Sequence, residues 1–132
     1  MSQAVRLILA SKSASRRAML DAAGVAYKSI PADIDERAVE AGLAGAEPSE
    51  VAEALAVAKA AAVAGLHPGA LVLGSDSLVV AGGRRFDKPQ TPEEAREHLR
   101  FFSQQVMELH SAAALVRDGG CQWSHASICL LY

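Results

Sequence analysis

The amino-acid sequence predicts an α/β chain, a mixed sheet flanked by helices. Three observations predict it. As far as Ala81 the segments alternate strand, helix, strand, helix, strand, the order of a layered parallel sheet. Two long strand-like runs then follow, joined by Asp118-Gly119-Gly120, a hairpin signal that adds an antiparallel extension. The helical segments between them open and close on residues with cap chemistry.

The first strand is the apolar run Val5 to Ala10, broken only by Arg6. It ends in Ser11-Lys12-Ser13-Ala14-Ser15-Arg16-Arg17, and a helical pattern runs from Arg16 to Ala23. Gly24 closes that helix, since glycine takes the left-handed conformation without strain. A strand-to-helix loop of small hydroxyl residues aims backbone N–H groups and the positive end of the helix dipole at one point. The paired arginines add forked donors suited to phosphate oxygens. The competing reading is a plain N-cap, Ser13 or Ser15, followed by solvated arginines.

Val25 to Ile30 reads as the second strand, stopped by Pro31. Asp33, Asp35 and Glu36 then place three carboxylates within four residues. They suit either a divalent cation or a turn leading into the acidic first turn of a helix. Ala41 to Glu47 reads as a loop. A long helix is expected from Pro48-Ser49 to Ala64, with Val51, Leu55, Ala58 and Ala62 as its buried stripe. Lys59 falls on the apolar side of that helix, where it either snorkels outward or meets an anion in a cleft.

Ala70 to Leu73 and Leu78 to Ala81 read as strand segments separated by Gly74-Ser75-Asp76-Ser77. A carboxylate between apolar strand segments needs a cation, a metal or a set of donors as partner, because burying it alone is costly. Gly82-Gly83 marks a hairpin turn, followed by the basic segment Arg84 to Pro89. Thr91, Pro92 and Glu94 give the cap, first position and third position of a further helix. Its expected buried stripe is Ala95, Leu99 and Phe102. Val106 to Val116 and Gln122 to Leu130 are the long strands of the final hairpin. His110 and His125 lie on them with no partner at metal-ligand spacing, and are expected as core or surface histidines.

The chain of 132 residues is expected to be a single domain with an aliphatic core. Aromatics are only 5%, too few for base-stacking platforms, and the net charge of -2 opposes general nucleic-acid or membrane-surface binding. An anion site must therefore be a local cluster of positive charge. Cys121 and Cys129 have the spacing of neither a metal knuckle nor a disulfide framework. No signal peptide or membrane-spanning run is evident, so the cytoplasm is the expected location.

Five motifs, in order and at matching spacing over about residues 5 to 127, resemble the Maf family of nucleoside triphosphate pyrophosphatases. They are Leu9 to Arg17, Asp33 to Glu36, Ala58-Lys59-Ala60, Gly74-Ser75-Asp76 and Asp87-Lys88-Pro89. The resemblance implies a twisted α/β fold with a deep cleft, similar to that of the inosine triphosphate pyrophosphatases. It implies cleavage of a pyrimidine or modified nucleoside triphosphate to monophosphate and pyrophosphate, with Mg2+ or Mn2+ as cofactor. It also links the family to septum formation and cell division.

On that resemblance Ser11, Arg16, Lys59 and Lys88, with Arg17 beside them, neutralise and orient the triphosphate. Asp76 matches the catalytic aspartate. An aspartate is a poor general base near neutral pH, so metal and water positioning is its preferred role. Glu36, alone or with Asp35, is the second metal contact. Ser15 and Ser77 fall where family members tune nucleotide choice. The expected partners are a nucleoside triphosphate and, as a candidate, a second copy of the chain, with neither nucleic acid nor membrane. Three departures stand out. Ser77 replaces the more usual threonine or glutamine. Ser103-Gln104-Gln105 replaces the usual Ser-Gly and a basic or polar residue, which is expected to strain the turn before the long strand. The chain is also expected to lack the family's C-terminal portion, which makes a catalytically impaired nucleotide-binding protein the alternative reading.

Overall fold

The computed structural model describes residues 6–132, so Val5, assigned to the first strand, lies outside the described residues. Ten elements follow in order. They are β1 (Leu7–Leu9), α1 (Ala14–Ala22), β2 (Lys28–Ser29), α2 (Glu36–Ala41), α3 (Pro48–Ala64), β3 (Leu71–Ala81), β4 (Arg84–Phe86), α4 (Pro92–Phe102), β5 (Met107–Arg117) and β6 (Gly120–Leu131). The sheet runs β2-β1-β3-β5-β6, with β4 pairing β3. β1 is parallel to both β2 and β3, whereas β3 pairs antiparallel with β4 and with β5, and β5 antiparallel with β6. The mixed α/β sheet read from the sequence is thus the observed one.

α3 lies on the sheet, packing on β3, β5 and β6. The core beneath it is aliphatic, with Leu9, Leu55, Val72 and Val116 the largest fully buried side chains. The buried face of α3 is Ala52, Leu55, Ala56, Ala60, Val63 and Ala64. Of the expected stripe only Leu55 is fully buried, while Val51, Ala58 and Ala62 are half-buried. The helix is apolar almost all round, so sequence periodicity gives it little preferred phase. Gly74 supplies the phase. A Cβ built there would lie 2.1 Å from the Ala56 carbonyl oxygen and 2.9 Å from the Ala60 Cβ, so the helix backbone rests on the bare glycine.

β3 also corrects the expected break at Gly74 to Ser77. It is one continuous strand of 11 residues, and Asp76 pairs with Ala112 of β5 in unbroken register. α4 is turned relative to the expected stripe. Leu99 is 68% exposed, and the inward face is Ala95, His98, Phe101 and Phe102. The physical cause is Phe86 of β4, whose ring meets His98, Phe101 and Phe102 at centroid distances of 4.8 to 5.0 Å. The second strand shrinks to Lys28–Ser29.

Cap and turn chemistry follows the sequence closely. Ser13 caps α1, Thr91 caps α4, and Gly24 takes φ 71° after α1. Gly82 and Gly83 both have positive φ, as a two-residue hairpin turn with right-handed strand twist demands. Gln104, at the position where the resemblance has glycine, is forced to φ 63°, the strained conformation expected there. His110 is a core histidine. Its Nδ1 meets Ser49 Oγ at 2.8 Å and its Nε2 meets Glu108 Oε1 at 2.9 Å.

Candidate active site

The loop after β1 forms as it does because its hydroxyls replace missing backbone partners. Ser11 Oγ accepts from the Ser13 N–H at 3.0 Å, and Ser13 Oγ accepts from the Arg16 N–H at 3.3 Å. Ser29 of β2 donates its Oγ–H to the Ser11 carbonyl at 2.9 Å, tying the loop to the neighbouring strand. The Arg16 guanidinium then spans the loop, donating to Ser11 Oγ and, across on β3, to Ser77 Oγ, each at 3.4 Å. These long bonds to neutral hydroxyls leave most of the guanidinium's donor capacity for a stronger acceptor.

The loop faces α2 and α3 across a cavity of about 270 Å³ lined by Ser11, Lys12, Ser13, Arg16, Glu36 and Lys59, with Ala10 and Ala32. Three cations and one carboxylate edge it. Asp35 is the N-cap of α2, its carboxylate accepting from the Ala38 N–H at 3.2 Å. Of the two readings left open for the acidic segment, the helix start holds for Asp35. Glu36, one residue on, is free to turn inward.

At the back of the cavity Lys59 Nζ meets Asp76 Oδ1 at 2.8 Å and Glu36 Oε1 at 2.9 Å. Asp76 is buried on β3 and finds its cation on α3, which answers the question its sequence position raised. Burial disfavours the charged form of Lys59, but its hydrogen bonds to Asp76 and then Glu36 outweigh this and raise its pKa above the ordinary lysine value. The lysine does not snorkel to water. It is a partly buried ammonium shared by two carboxylates.

The other candidates separate. Lys88 and Ser77 line a second cavity, of about 330 Å³, with Phe86, His98, Phe102 and Met107. Arg16 joins the two cavities through Ser77. Ser15 is exposed and meets only Ser13 Oγ, at 3.0 Å. Arg17 is exposed and lines neither cavity; its carbonyl accepts from the Tyr27 hydroxyl at 3.2 Å. Two features were not anticipated from sequence. Lys12 lines the first cavity, and an Arg85–Glu40 ion pair ties β4 to α2. The second depends on α2 being a helix, because Glu36 and Glu40 then share one face at i and i+4.

Among the described residues no cluster of three or more His, Cys, Asp or Glu forms a metal cage. Asp76 and Glu36 nonetheless converge on a single cationic centre. That set fits a cation such as Mg2+, which commonly takes one or two carboxylates and completes its shell with substrate phosphates and water.

A loop of small hydroxyl residues at the end of a parallel strand, beside a buried carboxylate–lysine pair, places the chain in the α/β class with its candidate site at a strand-to-helix loop. The chain belongs to the Maf-like protein family, whose model matches residues 6–130. It is 48% identical over 126 residues to the 7-methyl-GTP pyrophosphatase of Brucella suis, covering 94% of this chain and 63% of that one. It is 45% identical over 122 residues to the nucleoside triphosphate pyrophosphatase of Rhodopseudomonas palustris, covering 92% and 60%. The chain therefore spans about three-fifths of the length of these relatives. The fold is similar to that of a HAM1 protein from Coxiella burnetii, with TM-score 0.60, 18% identity and coverage of 96% and 71%. It is also similar to a nucleoside-triphosphatase / dITP/XTP pyrophosphatase from Mycobacterium abscessus, with TM-score 0.54, 19% identity and coverage of 96% and 72%. No helix among the described residues is long and apolar enough to cross a membrane.

Proposed function

We propose that this chain carries the phosphate-handling and catalytic residues of a nucleoside triphosphate pyrophosphatase, releasing pyrophosphate and the monophosphate. The observation that carries this reading is Lys59 joined to the buried Asp76 at the back of a cavity edged by Lys12 and Arg16. Relatives named 7-methyl-GTP pyrophosphatase and nucleoside triphosphate pyrophosphatase support it. They also make a modified nucleotide, 7-methyl-GTP, the first substrate to test.

In this reading Ser11, the loop N–H groups and Arg16 bind and orient the polyphosphate, and Lys59 adds charge where negative charge accumulates. Asp76 and Glu36 would hold Mg2+ or Mn2+, which when bound would neutralise phosphate oxygens. Water attacks phosphorus, the bridge between the α- and β-phosphates breaks, and pyrophosphate departs with the bonding electron pair. Asp76 orients the water and accepts its hydrogen bond, and the released proton leaves to solvent. Lys88 and Ser77, in the adjoining cavity, contact the remaining part of the nucleotide.

Binding without turnover is the second reading, and one observation favours it. Lys59 engages both carboxylates that the reaction needs. The test is pyrophosphate release from a panel of standard and modified nucleoside triphosphates with Mg2+ or Mn2+. Release that falls about 10³-fold in Asp76→Asn is the expected result. Nucleotide binding by folded wild-type chain with no release at any metal concentration would overturn turnover and leave the binding reading.

A further inference from the structure

We infer that Lys59 is a stand-in cation, holding the Asp76 and Glu36 oxygens that a divalent metal would take, so that nucleotide and metal bind cooperatively. This rests on the reading that those two carboxylates hold a metal. The geometry carries it. One ammonium nitrogen lies 2.8 Å from Asp76 Oδ1 and 2.9 Å from Glu36 Oε1, so both carboxylates are engaged by the same charge. Lys59 and Glu36 line the cavity and Asp76 does not, so the lysine head lies between the cavity and the buried carboxylate.

The electrostatic consequence has a definite sign. A dication held by Asp76 and Glu36 would lie close to the ammonium, and with Asp76 buried and Lys59 largely so the repulsion would be only partly screened, even though Glu36 is half exposed. The metal therefore binds poorly while the lysine stays. A polyphosphate seated against Ser11 and Arg16 offers the ammonium another anion in the same cavity. The four-carbon stem of lysine lets the head swing to it, which frees Asp76 and Glu36. Asp76 and Glu36 would then be open to hold a divalent cation, and the bound phosphate would supply further oxygen ligands. By linkage the metal must strengthen nucleotide binding by the same factor. Exchange of one cation for another leaves the buried Asp76 paired both before the nucleotide binds and after the exchange is complete.

The discriminating experiment is a Mn2+ titration of the 132-residue chain without nucleotide, read by the spin-resonance signal of free Mn2+. Lys59→Met is expected to bind Mn2+ on the order of tenfold more tightly than wild type, and Lys59→Met/Asp76→Asn to lose the gain. A lysine that only binds phosphate or only supports the fold gives no such gain. Equal or weaker binding by folded Lys59→Met would overturn the proposal. A second measurement needs no variant. In wild type the Lys59 Nζ resonance is expected to move on adding a metal-free, non-hydrolysable nucleoside triphosphate, and to stay put with millimolar Mg2+ alone. Movement with Mg2+ alone, or none with the triphosphate, would overturn the exchange. Pyrophosphate release is a separate readout. A chain that shows the gain but no release would sink the pyrophosphatase reading and keep the exchange; a chain with release but no gain does the opposite.

Discussion

The same strands make two very different faces. Beneath α3, β3 and β5 bury Val72, Asp76, Leu78, Ala112, Ala114 and Val116. On the opposite face Leu71, Leu73, Val79, Leu109 and Leu115 are half-buried, and Trp123 and Leu131 on β6 are exposed. Strand alternation sends neighbouring residues to opposite faces, so Asp76 and Ser77 face opposite ways only one residue apart. The difference shows where this chain can afford a charge. Asp76 sits on the covered face because α3 brings Lys59 to it. Ser77, on the other face, needs only the Arg16 guanidinium and the Ser111 hydroxyl.

Filling the covered face should have the largest effect on stability. Gly74→Val drives a side chain into Ala56 and Ala60, and α3 must lift from the sheet. We expect a loss of about 3 kcal/mol in urea unfolding, with nucleotide binding weakened because Lys59 moves with its helix. Unchanged stability would show that α3 is not seated on Gly74. A smaller effect is expected from Ser49→Ala, which removes the Nδ1 partner of the buried His110; a loss of about 1 kcal/mol is expected. On the less buried side, His125→Ala, which removes only an exposed ring stacked on Trp123, should stay within about 0.5 kcal/mol. A loss as large as that of Gly74→Val would mean that the two faces are equally constrained.

The smallest effect is a predicted constancy. The Lys59 pKa is raised in the folded chain, so the stability from its ion pairs is fully present below the unfolded value of 10.5 and is lost only as pH rises through the higher folded value. The stability difference between wild type and Lys59→Met should therefore be flat from pH 7 to 9. A difference that shrinks within that window would show the ammonium losing its proton there.

Much of the site was legible because its signals are local. Ser13 as cap, Gly24 as stop, the paired glycines at 82 and 83, and the Thr91-Pro92-Glu94 start all act through bonds within a few residues. The loop after β1 belongs to the same class. Lys59 and Asp76 stood out for another local reason, since each is a charge among apolar neighbours and each demanded a partner. Their sequence positions did not reveal that each is the other's partner. Equally hidden was the separation of Lys88 and Ser77 into an adjoining cavity.

What the sequence by itself determined is therefore the order of the main elements, with α2 left open and β4 not assigned, the caps and turns, and the existence of two charges that needed partners. Those follow from hydrogen-bond periods and φ preferences that operate over one or two turns of chain. The tertiary structure alone decided which face of α3 is buried, how α4 is turned, that β3 runs unbroken, and that Lys59 bridges Asp76 and Glu36. In each case the deciding contact joins residues distant in the chain: Gly74 with Ala56, Phe86 with His98, Asp76 with Ala112, and Asp76 with Lys59. An alanine-rich helix has almost no amphipathic direction of its own, so its orientation is set by the surface it meets.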